Sequence, residues 1–486
     1  MQFIFWEDYF LYPVYFTLFF LLVKSHRDSV RDREMRKYYM PGYLLKVFGA
    51  FSYGMIYQYY YGSIYDTTYF FYDGELIFEA FWENPTAAFS LIFGEAGVDN
   101  LRNPVHVYWS VRMSYFKDPP SYMISRFAGF FGLFCFAKYL PMSIFFATFS
   151  FMGAWHFYRT LCALYPDMKK QMAIAVFFFP SLFFWGSGVL KDSVTFCSLG
   201  MCVYGFYHGF LIKSKERWRG IIFFLAGAFL LKQIKIYILM CLIPSLAYWA
   251  FSRYAKRIDN AFIKMLSGPV FLSIFAVLGF FFVRSVSAGT DYDLDNIARE
   301  IKITSDYLRS VSKDGSFYYF GELDGTFENM LKYFVPAVLT TLYRPAIWEV
   351  RNPMMLLSAL ENTYLLFLTL SVFLRTSPIK VLKSIFNEEI VAVSLIFTLG
   401  FSFFVGLASA NFGTLVRYKI PMMPFYIAMV LVIYEQNFVR AKVKKRRFTE
   451  DEGAEAHSEP VQGSVPEKKE SNPQHDIESF RRNVIT

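Results

Sequence analysis

The stretch "IVAVSLIFTLGFSFFVGLA" (390–408) runs its whole length without a charged side chain. A helix rises about 1.5 Å per residue, so about 20 mostly apolar residues cross the roughly 30 Å hydrocarbon core of a bilayer. Comparable runs recur near 7–23, 41–61, 141–164, 171–190, 193–212, 219–236, 237–252, 267–285, 354–374 and 418–437. Segments of that length in lipid must satisfy their own backbone groups, which helices do. The sequence therefore predicts an all-α, polytopic integral membrane protein with about 11 transmembrane helices. A further apolar segment, 122–138, is read as a partly inserted helix, because a twelfth full span would break the alternation of the loops.

Composition agrees. A hydrophobic share of 55% with 59 Phe and 35 Tyr in 486 residues is far above that of a soluble domain. The net charge of +9 does not point to nucleic acid, since the basic residues fall mostly in short loops between apolar runs. Those loops, "KSHRDSVRDREMRK" (24–37), "YPDMKKQ" (165–171), "KSKERWR" (213–219), "SRYAKR" (252–257), "RTSPIKVLK" (375–383) and "VRAKVKKRRF" (439–448), all fall on one side, which the positive-inside tendency makes cytoplasmic. The N-terminus is then outside; "FWEDYF" has no basic n-region before it, so the first span reads as an uncleaved anchor. Residues 1–437 form the transmembrane domain. Residues 438–486 are a basic and then polar cytoplasmic tail, too poor in apolar residues to order itself over 449–486. The five cysteines lie in apolar stretches without C-x-x-C spacing, and no H-E-x-x-H occurs. No convincing metal site emerges, and a divalent cation is left open as a cofactor.

This topology puts two long loops outside, about 62–121 and 286–353, with short turns near 188–193, 232–238 and 408–418. Polar residues that loop solubility does not explain collect on that face. "YDTTYFFYDGELIF" places Asp66 and Asp73 among aromatics just past the second span, where a carboxylate could act as a general base or, for Asp66, cap a helix. "FWGSGVLKDS" sets Lys191 and Asp192 between apolar runs; Asp192 and Ser193 suit helix caps and Trp185 an interfacial anchor, but capping has no need of Lys191. Lys232 and Lys235 lie at the next outer turn, where snorkelling is the plain alternative. "LYRPAIWEVRNP" holds Arg344, Trp348, Glu349 and Arg351, and a guanidinium can grip phosphate oxygens in pairs. Glu361 sits inside the ninth apolar run, where a carboxylate is expected to face an interior with a basic partner. "NFGTLVRYKIPMMPF" brings Asn411, Arg417 and Lys419 to the outer end of the last span. Asp291, Asp293 and Asp295 in the second loop lack the glycine and distal Glu of a calcium loop and read as a helix N-terminal cap.

In "YDTTYFFYDG", "PSLFFWGSGVLKD", "LYRPAIWE" and "NFGTLVRYKIPMMPF", taken in order, the chain resembles GT-C-like multispanning bacterial glycosyltransferases and related membrane proteins of polysaccharide biosynthesis. The resemblance implies a sugar donor linked to polyprenyl phosphate, a glycan acceptor and an extracytoplasmic site in the cell inner membrane, with the C-terminus cytoplasmic. It places Asp66, or Asp73, where the catalytic acid of that family stands, although the D-x-D or E-x-D pair of some members is missing. Arg344, Arg417, Lys191 and Lys419 are the expected phosphate partners, with Asp192, Lys232, Lys235, Trp348 and Glu349 around them. The alternatives are a polysaccharide polymerase or ligase, leaning on the arginines more than on Asp66, and a lipid-linked oligosaccharide flippase.

Overall fold

The computed structural model describes residues 2–62, 65–257, 297–310, 312 and 316–439. The predicted span at 267–285, the Asp291–Asp293–Asp295 run and the tail 449–486 lie outside them. Among the described residues the chain is helical, with a single isolated antiparallel bridge between Phe317 and Asn411.

Helix α1 (Trp6–Asp28) packs beside α2 (Tyr39–Met55), which continues through a wider π-helical turn, Ile56–Tyr61. The segment predicted as the first outer loop is itself helical. It holds α3 (Asp66–Glu83) and leads into α4 (Pro119–Cys135), which packs along α3. Phe136 and Ala137 take left-handed backbone angles (φ 56° and 46°), and there the chain bends through 117° into α5 (Tyr139–Leu164). The segment predicted as a partly inserted helix at 122–138 is thus α4, set across α5. Asp8, fully buried, accepts from the amides of Phe5 and Leu140 at 2.9 and 2.8 Å and so ties the start of α1 to the start of α5.

The predicted span at 171–190 is broken. A short helix, Lys169–Ala173, and a π-turn lead to Pro180, which opens α6 (Pro180–Phe184), and residues 185–190 then turn without helical structure. Irregular backbone at membrane depth must find partners in protein. Here the fully buried Lys46 of α2 donates to the carbonyls of Leu182 and Gly186, both at 2.8 Å, Ser150 donates to Gly186 at 2.6 Å, and Ser193 donates to Gly188 at 2.6 Å.

Next come α7 (Lys191–Phe206), extended to Leu211 by a π-turn, and α8 (Arg217–Ala255). Two spans joined by a turn near 232–238 are predicted here. In the fold α8 is two helical stretches that meet at a kink at Lys235 (φ −146°, ψ 74°), inside that predicted turn. Later elements include α9 (Ile297–Ser310), α10 (Phe334–Tyr343), α11 (Pro353–Arg375), α12 (Glu389–Ser409), α13 (Phe412–Tyr418) and α14 (Met423–Tyr434).

Among the described residues, five helical stretches are long and apolar enough to cross a membrane: Lys191–Leu211, Arg217–Ala255, Pro353–Arg375, Glu389–Ser409 and Phe412–Phe438; the bent α4–α5 pair would make a sixth. They mark a lipid bilayer as the chain's environment. The other described segments predicted as spans are helical but broken, or richer in tyrosine and charge than those five. The centre is α7, packed between α5 and α8. Close approach is set by glycine: a Cβ on Gly153 of α5 would strike the backbone of Cys197, and one on Gly200 of α7 would strike Gly153. Small residues of this kind let membrane helices pack backbone to backbone.

Candidate functional site

Four charged side chains from distant parts of the chain form one connected network. Asp66 is the first residue of α3, after Tyr65 at the N-cap, and its side chain makes no capping bond. One carboxylate oxygen instead accepts from both terminal nitrogens of Arg417, each at 3.3 Å, and the other accepts from the Tyr115 hydroxyl at 3.2 Å. Arg417, in the last turn of α13, lies over the Trp185 ring (5.8 Å) and reaches Asp192 through Nε at 3.4 Å. Asp192, in the first turn of α7, takes Lys235 Nζ on its other oxygen at 2.5 Å. Lys235 occupies the break in α8, and its ammonium stands 4.8 Å from the centre of the Tyr418 ring.

The sequence equally allows Asp192 to cap its helix. In the fold Leu190 is the N-cap, and both Asp192 oxygens go to cations. Nor do Lys191 and Asp192 share one environment. The network grades from interior to solvent: side-chain exposure is 0% at Asp192, 7% at Lys235, 20% at Arg417 and 50% at Asp66. The buried end holds the geometry, and the open end presents a carboxylate. Lys191 is half-buried beside it, within electrostatic range of Asp66, Asp118 and Asp192, with no direct hydrogen bond or ion pair among the described residues. Asp118 is exposed and bonded to the Ser121 hydroxyl. Around the network, Lys191, Lys235 and Arg417 are matched in number by Asp66, Asp118 and Asp192. The start of α7, which carries Lys191, is the positive end of a helix dipole and favours an anion.

Asp73 lies two turns beyond Asp66 on the same face of α3, but it is buried and differently engaged. Its oxygens accept from the amides of Ser114 and Tyr115 (2.7 and 3.0 Å) and from the Ser125 hydroxyl (2.9 Å). It staples the loop before α4 to α3. Burial pushes its carboxyl up to about 6, against the pull of those three bonds. Tyr115 connects the two aspartates, with its amide on Asp73 and its hydroxyl on Asp66; burial, and then Asp66, raise its phenol.

The remaining predicted residues fall elsewhere. Arg344 is committed to Glu349, with Nε 2.9 and 3.1 Å from the two carboxylate oxygens and Nη2 on one of them, over the rings of Phe412 and Tyr318. Burial works to raise Glu349, but the Arg344 fork and the Ala346 amide (2.8 Å) outweigh it and hold the carboxyl below its usual range. Lys419 is fully buried and donates to Asn362, whose amide in turn holds the Pro345 carbonyl at 3.2 Å. Its neighbour Glu361, also buried, accepts from the Ser181 amide at 2.8 Å and so caps α6. Lys232 and Trp348 are exposed, Trp348 to 87%.

Sequence reasoning missed Tyr115 and Lys46. Tyr115 is one of 35 tyrosines, with nothing in its neighbourhood to single it out. Lys46 had a usable signal, a lone lysine inside an apolar run. Among the described residues no cluster of three or more His, Cys, Asp or Glu side chains is arranged to hold a metal. Comparison with known proteins finds no matching family model, curated protein or solved structure.

Proposed function

We propose that the chain is a membrane glycosyltransferase that moves a sugar from a polyprenyl-phosphate-linked donor to a glycan acceptor at the outer face of a bacterial inner membrane, in envelope polysaccharide synthesis. In this reading the chain crosses the membrane about eleven times, with its basic loops and C-terminus in the cytoplasm. The observation that supports it is the network's asymmetry: a solvent-open carboxylate, Asp66, paired with Arg417 and within electrostatic range of Lys191, which has no direct ion pair among the described residues.

The donor phosphate pairs with Lys191 and with Arg417, whose planar fork suits phosphate oxygens. Arg417 moving toward phosphate releases Asp66. The acceptor hydroxyl then attacks the anomeric carbon, its proton passes to Asp66, and the bond from that carbon to the phosphate oxygen breaks with its electron pair leaving on the phosphate. Tyr115 orients the carboxylate. Asp73 and Arg344, each already engaged by its own partners, take no part. The test is turnover of a synthetic polyprenyl-phosphate sugar by purified protein. Asp66→Asn should lower the rate on the order of 10²-fold with donor binding kept, and Arg417→Lys should weaken donor binding. Full activity in Asp66→Asn removes the base assignment.

A second reading, a lipid-linked oligosaccharide flippase, draws on the helix breaks at 185–190 and Lys235, since transporters build their sites from discontinuous helices. In reconstituted vesicles, label that crosses the bilayer without a new glycosidic bond would favour it.

A further inference from the structure

Outside the charged network, a groove of about 500 Å³ lies between α9 and the segment 318–324, with Leu407 and Ala410 at its floor. That volume is within the roughly 300–1,000 Å³ range of small-ligand sites. Helix α9 turns Ile297, Ala298 and Ile301 inward, packs against α12, and gives Lys302, Ser305, Asp306 and Arg309, at helical spacing, to the groove. The opposite wall is anchored. The Tyr318 amide donates to Ala410 at 2.9 Å, its hydroxyl donates to Gly406 at 2.8 Å, and the Phe412 amide donates to Ser316 at 3.0 Å. Next to it Tyr319 is 53% exposed, with the Arg309 guanidinium 4.6 Å from its ring centre.

The lining fits one kind of ligand. Lys302 and Arg309 face Asp306, Glu322 and Asp324, and Asp324 also accepts from the Thr326 amide and hydroxyl, both at 2.7 Å. Charge is close to balanced, so the groove is not a phosphate site. Closely mixed donors and acceptors beside an exposed aromatic ring suit a neutral, hydroxyl-rich molecule. Position adds to this. Ala410 lies two residues before α13, whose last turn carries Arg417, and at about 1.5 Å per residue the step from Ala410 to Arg417 is about 10 Å.

We propose that this groove binds the acceptor glycan, a neutral oligosaccharide, with one sugar ring on the free face of Tyr319 and the chain's reactive end running along α13 toward Asp66. The assignment rests on the transferase reading for the word acceptor, while glycan binding itself is measured without donor. The probe is the fluorescently labelled neutral oligosaccharide pool released by mild acid from the envelope glycans of the native host, titrated onto full-length protein in nanodiscs. The wild type should bind. Tyr319→Ala and Arg309→Ala should each weaken binding at least about tenfold, the scale of losing an aromatic or arginine anchor, and Tyr319→Phe should keep it. Binding of a polyprenyl phosphate should be unchanged in all three. No binding by the wild type, equal binding by all variants, or a parallel loss of polyprenyl-phosphate binding overturns the groove. Glycan binding that depends on Tyr319 but leads to no transfer upholds the groove and removes the transferase reading.

Discussion

Replacing Asp192 by Asn takes away the one negative charge shared by Lys235 and Arg417 in the interior. With Lys235 Nζ at 2.5 Å, the Coulomb term at an effective dielectric near 20 is about 7 kcal/mol, and Arg417 Nε at 3.4 Å adds about 5 kcal/mol. Desolvation of each ion cancels much of this, so the net value of the network is small compared with the cost of breaking it. Removing one partner leaves cations buried without compensation, which costs about 3–5 kcal/mol. Asn still offers Lys235 an oxygen, which places the expected loss at the lower end, about 3 kcal/mol. The assay is unfolding by SDS titration in mixed micelles, for Asp192→Asn, Lys235→Met and the double variant. Since the pair is almost fully buried, added salt should change little. The double variant should be less destabilised than the sum of the singles, by about 1–3 kcal/mol. A loss under about 1 kcal/mol for Asp192→Asn, with additive singles, would refute the view that this ion pair holds α7, α8 and α13 together.

Other expectations follow from single contacts. Asp73 binds its proton more tightly folded (about 6) than unfolded (3.8), so its contribution to stability is full below about pH 4 and is lost as pH rises through about 6; unfolding measured across that window should show the fall in wild type and not in Asp73→Asn. At neutral pH Asp73→Asn turns an amide NH₂ toward one of its three donors and should cost about 1–3 kcal/mol, with none of the large rate loss expected of Asp66→Asn. Gly153→Ala should force α5 and α7 apart and destabilise by about 1–3 kcal/mol or more, read by the same titration. For the topology, a cysteine at the exposed Trp348 should react with a membrane-impermeant thiol reagent in intact spheroplasts and one at the exposed Lys215 should not; labelling at position 215 without lysis would invert the assignment.

Local pattern determined what could be read without coordinates. The length of the apolar runs dictates helices in a bilayer, because hydrocarbon offers no partner to a free peptide group, and an expensive charge such as Glu361 inside such a run marks a place where protein supplies a partner. Which partner is decided by packing. Asp66 and Arg417 are separated by 351 positions, Asp192 and Lys235 by 43, and no local signal records that α3, α7, α8 and α13 converge. The two aspartates of "YDTTYFFYDG" make the point most simply. Both lie on one face of one helix among aromatics, and the sequence could not choose between them. The fold gives them different environments: the loop before α4 closes over Asp73 with two amides, α4 adds a hydroxyl, and Asp66 is left half-exposed with Arg417. Likewise the break at 171–190 followed from Pro180 and the glycines that follow it only once Lys46, on another helix, was in place to satisfy the exposed carbonyls. Secondary structure is a matter of neighbours in sequence; the environment of a charge is a matter of neighbours in space, and only the folded chain sets those.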